Sequence, residues 1–78
     1  MHNMKTTETK EESFKRLATK RTNRVLKDLS LIGNLSDRGN YSYNSIQVAK
    51  IFRTIEVELR DAKARFNKGL RTVRKLDL

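Results

Sequence analysis

GNLSDRGNYSYNS, Gly33–Ser45, holds two of the chain's three glycines, both tyrosines and a single arginine, and it separates two strongly basic segments. Its two ends read as opposite kinds of punctuation. Gly33 follows an apolar run ending in Ile32, where a left-handed C-cap favours glycine, and Leu35 is placed to pack back on that end. Asn44 is a good N-cap, and Gln47 stands at the position from which a capping box reciprocates. Tyr43 before the cap and Val48 after it have the spacing of a hydrophobic staple. A helix stop and a helix start about a dozen residues apart predict a helical hairpin.

The flanks agree with this. On the N-terminal side, Thr9 and Glu12 form a second capping-box pair, and Glu11 and Glu12 suit the positive end of a helix dipole. With about 100° per residue, Phe14, Leu17, Ala18, Thr22, Val25, Leu26, Leu29 and Ile32 share one broad arc. On the C-terminal side, Val48, Ile51, Phe52, Ile55, Leu59, Ala62 and Phe66 form a stripe that Leu70 and Val73 can extend past Gly69. The chain has no proline and no alternating strand pattern. The expected fold is therefore all-α: a mobile start over residues 1–8, then one antiparallel helical-hairpin domain over 9–75. Its parts are a helix over 9–32, a loop over 33–44 and a helix over 45–75.

A helix over 9–32 is about 35 Å long and one over 45–75 about 45 Å. In an antiparallel hairpin the end of the second, RFNKGLRTVRK (Arg65–Lys75), would project as a basic arm. With 78 residues and no cysteine, a single hairpin has neither the core nor the cross-links that usually stabilise so short a chain. Each apolar arc is also wider than one partner helix buries. Homodimerisation into a four-helix bundle is the expected remedy.

Eighteen Lys and Arg stand against nine Asp and Glu, a formal net charge of +9. The imbalance points to a polyanionic partner, with an ordinary basic helical protein as the plain alternative. The cations are arranged. Arg16, Lys20, Arg24 and Lys27 fall within about 80° of one another, opposite the apolar arc of the first helix. Lys50, Arg53, Arg60, Lys68, Arg71 and Lys75 cluster likewise on the second. No acidic residue occurs between Ser13 and Lys27. Cations spaced by helix turns can follow a phosphate backbone, which positions a protein without reading sequence. In the connector, Arg38 and Tyr41 are candidates for shape recognition or base stacking, beside the plainer reading of Tyr41 as cover for the hairpin end. Arg21 falls inside the first apolar arc and is read as an interhelical partner of Glu56 or Glu58, or as a residue at an oligomer seam or ligand groove. Ile46, Val57 and Ala64 lie near the basic side of the second helix and could make a small further contact surface.

Several function classes find no support. His2 has no spaced partner for a metal or catalytic site. There is no glycine-rich phosphate loop, no HExxH and no Ser/His/Asp set, so neither catalysis nor a cofactor nor a metal is expected. Asn34–Ser36 fits a glycosylation sequon, but the polar start carries no secretory pattern and no stretch matches a membrane span. A cytoplasmic location and no membrane partner follow as expectations. A membrane-surface helix is the weaker reading, because both stripes already have a use within the fold and no tryptophan marks an interface.

The order RLATKRTNRVLKDLSLIGNLSDRGNYSYN…VAKIFRTIEVELRDAKARF, within Phe14–Phe66, resembles small helical proteins encoded on plasmids, phages and integrative elements of Gram-positive bacteria. In these a GNLSxRxNYxY-like turn links a basic helix to one ending in an IExEL…KxxF stretch. This chain has NSIQVAK after the tyrosines, where such relatives are more acidic. The family has no settled activity, and the resemblance implies a mobile-element accessory protein. Taken together, the expected function is non-enzymatic nucleic-acid binding, DNA ahead of RNA, through the basic helix faces. The alternative is a small adaptor or inhibitor that docks on an acidic surface or nucleic-acid channel of a host protein.

Overall fold

The computed structural model describes residues 7–73. These form two helices, α1 (Lys10–Asn34) and α2 (Ser45–Val73), with no strand among the described residues. The chain divides into two units, Met1–Tyr41 and Ser42–Leu78. Neither helix is long and apolar enough to cross a membrane.

In the first unit, α1 starts at the expected capping box. Thr9 Oγ1 accepts from the Glu12 amide at 3.0 Å, and Glu12 Oε1 accepts from the Thr9 amide at 2.9 Å. Two of the amides that a helix start leaves without an intrahelical acceptor are thereby satisfied. The other end departs from expectation. The helix runs through Gly33 to Asn34, and Gly33 does not adopt the left-handed conformation a glycine C-cap would use. Closure comes instead from tighter turns: the amides of Leu35, Ser36 and Asp37 donate to the carbonyls of Ile32, Gly33 and Asn34 at 3.0, 3.1 and 3.4 Å. Three-residue hydrogen bonds of this kind satisfy terminal carbonyls with ordinary negative φ, as at Leu35 (φ −70°, ψ −7°). The glycine's freedom is thus not needed.

Asp37 then organises the connector. Its Oδ1 accepts from the Gly39 amide at 2.9 Å and its Oδ2 from Asn40 Nδ2 at 2.8 Å. Its carbonyl accepts from the amides of Asn40 and Tyr41 at 3.1 and 2.9 Å. This is a short acidic side chain folding the backbone around itself, the reason Asp favours turns.

In the second unit, Asn44 and Gln47 form the predicted reciprocal cap. Asn44 Oδ1 accepts from the Gln47 amide at 2.8 Å and Gln47 Oε1 from the Asn44 amide at 3.0 Å. Tyr43 and Val48, spaced as a staple across that cap, are both half-buried. α2 passes Gly69 without ending and reaches Val73. Residues 74 and 75, expected to complete it, lie outside the described residues, as does His2.

No described residue is fully buried. Leu17, Ala18, Leu29 and Ile32 of α1, and Val48, Ile55 and Ala62 of α2, are the half-buried members of the two stripes. Phe14, Leu59 and Phe66 remain 56, 58 and 60 % exposed. Packing of an amphipathic face supplies most of a helix's stability, and the caps add to it by satisfying amides that the helix start leaves free. Replacing Asn44 with Ala should therefore cost about 1 kcal/mol. Denaturant unfolding followed by circular dichroism at fixed protein concentration measures this, and faster amide exchange at Gln47 should accompany it.

Candidate nucleic-acid interface

A cation on a helix serves as a phosphate contact only if it is exposed, reachable and not already neutralised by a carboxylate. On α1, Lys20, Arg24 and Lys27 meet all three conditions. They are exposed, fall on one side of the helix, and their side chains make no ion pair among the described residues. Their spacing of four and three residues keeps them aligned over two turns.

Arg16 heads the same row but is already engaged. Its Nε donates to Glu8 Oε2 at 2.9 Å and its Nη2 to Glu8 Oε1 at 3.0 Å, a two-pronged guanidinium–carboxylate contact. The hydrogen bond from Arg16 holds the Glu8 carboxyl below the ordinary glutamate value, and the same bond raises the Arg16 guanidinium. The sequence reading placed Glu8 in a mobile start and missed this contact. The signal was present in principle: long side chains on a helix lean toward its N-terminus, so an arginine in the second turn reaches back to the residue before the cap. Elsewhere on α1, Lys15 lies 3.3 Å from Glu11, four residues before it, and Arg21 is exposed.

On α2, Lys50, Arg53, Arg60 and Lys68 are exposed, and their side chains make no ion pair among the described residues. Arg71 belongs to the last turn of α2, and Lys75 lies outside the described residues. Exposed apolar side chains share the same side of the helix: Ile46 is 78 % exposed and Val57 51 %. Arg65 approaches Asp61 at 3.8 Å, a loose pair whose acid lies at the edge of this row. Thr54 returns its hydroxyl to the Lys50 carbonyl at 2.8 Å, so it needs no partner outside the helix.

In the connector, Arg38 is exposed within the Asp37 turn and Tyr41 is 49 % exposed. The turn presents both side chains but occupies Asn40, whose amide is bound to Asp37. Among the described residues, no three His, Cys, Asp or Glu side chains converge as a metal site would require. The arrangement is one exposed basic row on each helix.

Comparison with family models, with curated proteins and with solved structures returned no match.

The Glu8–Arg16 contact has a pH signature. Because the folded-state pKa of Glu8 is lowered, its stabilising effect is present above the ordinary glutamate value and disappears as pH falls through the lowered one. A carboxyl-carbon NMR titration should place Glu8 below the ordinary glutamate midpoint. Arg16→Gln should return it to that midpoint.

Proposed function

We propose that this chain is a non-enzymatic helical protein of a mobile genetic element that binds nucleic acid, DNA ahead of RNA, through its basic helix faces. In this proposal the helices form a hairpin, and two hairpins pair as a four-helix bundle that covers the apolar stripes. The observation that carries the reading is the row Lys20, Arg24 and Lys27: exposed, aligned, and set in a stretch from Ser13 to Lys27 that contains no acid. Ordinary surfaces interleave both signs. A row of one sign replaces the counterions along a phosphate backbone and releases them, which favours binding by entropy. Lys50, Arg53, Arg60 and Lys68 would do the same from α2, with Arg71 and Lys75 beyond them. Arg38 and Tyr41 would add contacts from the connector. The mobile-element setting rests on the resemblance of the connector and its flanks.

A second reading has one observation in its favour. The apolar Ile46 and Val57 beside the α2 row suit an acidic protein surface with apolar gaps better than they suit phosphates.

Mobility-shift titrations with duplex DNA, single-stranded DNA and RNA at several salt concentrations test the proposal. Binding should weaken steeply with salt. The combined Lys20→Gln, Arg24→Gln and Lys27→Gln variant should lower the slope of log affinity against log salt by about 2.7 on duplex DNA. Absence of binding at low salt, or binding indifferent to salt, would exclude this function.

A further inference from the structure

The apolar stripe of α2 has an order that fixes what fits against it. Val48, Phe52, Ile55, Leu59, Ala62 and Phe66 step alternately by four and three residues, and the next step lands on Gly69. That alternation is the seam of a two-helix coiled coil. Along it large and small residues are unevenly distributed: Phe52 and Leu59 come early, Ala62 and Gly69 late. A side chain added at Gly69 would meet nothing within 4 Å.

The shoulders of the seam are charged. Glu56 and Lys63 lie along one side, Glu58 and Arg65 along the other, an acid followed by a base seven residues on in each case. Glu56, Glu58 and Lys63 are exposed and make no ion pair among the described residues, while Arg65 has only its loose approach to Asp61 at 3.8 Å.

We infer that this seam takes a second copy of α2, running antiparallel, about a two-fold axis that passes between Arg60 and Asp61. In that register Leu59 faces Ala62 of the second copy, Ile55 faces Phe66, and Phe52 fills the open space at Gly69. Each shoulder then sets Glu56 against Lys63, or Glu58 against Arg65, and the two-fold repeats both pairs. Such shoulder pairs select partner and orientation more than they add strength. The alternatives fail on the same residues. Sliding one helix by seven residues in one direction puts Glu56 on Glu56 and Glu58 on Glu58. Sliding it in the other direction puts Lys63 on Lys63 and Arg65 on Arg65. A parallel pair in register keeps only the Glu58–Lys63 contact and stacks Phe on Phe, Ala on Ala and Gly on Gly, leaving layers of mismatched volume.

The basic residues Lys50, Arg53, Arg60 and Lys68 lie away from the seam, so pairing leaves them exposed on each copy. The inference deepens the dimeric part of the proposed function and stands apart from its nucleic-acid part.

The test uses the full chain without nucleic acid at physiological ionic strength. Solution mass should be that of a dimer. Glu56→Lys with Glu58→Lys should weaken the dimer at least about tenfold, and adding Lys63→Glu with Arg65→Glu in the same chain should restore it. Circular dichroism on each variant separates loss of pairing from loss of helix. A nitroxide on Ser45→Cys, at the start of α2, should report an intermolecular distance of about 45 Å if the helices are antiparallel and under about 25 Å if they are parallel. A monomer overturns the inference. So does a short nitroxide distance, or a double reversal that pairs as tightly as the parent. Mobility shifts on the same samples are read separately, so the loss of either property is seen without the other.

Discussion

Apolar surface without cover is the constraint that governs this molecule. Helices of 25 and 29 residues form here with no described side chain fully buried, although each carries a continuous apolar stripe. Isolated helices in water are marginal, and most gain their stability by packing one face against something else. The local devices present — two reciprocal caps, tightened turns closing α1 and the Asp37 turn — define where the helices begin and end. They do not remove the stripes from water. Whatever covers the stripes supplies the larger part of the folding free energy.

The need for cover separates the two kinds of surface on each helix. The apolar side is committed to stability. Another side holds the exposed cations. Helix geometry keeps the two apart, since the repeat that aligns Leu59 with Phe66 also aligns Arg53 with Arg60 on another side of α2. Covering one surface therefore leaves the other available, and a partner for the basic rows need not compete with packing.

Much of this was legible in the residues. Thr9 with Glu12, and Asn44 with Gln47, announce two helix starts, and both form with the expected hydrogen bonds. The end of α1 was legible only roughly. Glycine after an apolar run suggests a left-handed cap, yet Gly33 stays helical because the amides of Leu35, Ser36 and Asp37 close the end in tighter turns. Asp37 was passed over because its role depends on backbone it must first fold, namely the amides of Gly39, Asn40 and Tyr41. Of the candidate site, the exposure of the basic rows followed from helix periodicity. The engagement of Arg16 did not, since Glu8 lies before the helix and periodicity says nothing about it.

That last contact bears on how the α1 row would meet an anion. A carboxylate held on the same chain acts as a tethered competitor, present at a fixed effective concentration however dilute the protein. An anion approaching Arg16 meets a guanidinium with two of its five N–H groups already given to Glu8, whereas one approaching Lys20, Arg24 or Lys27 would displace only water and loose counterions. The row is thus graded along its length: its N-terminal member already holds a carboxylate, and the three cations after it hold none among the described residues.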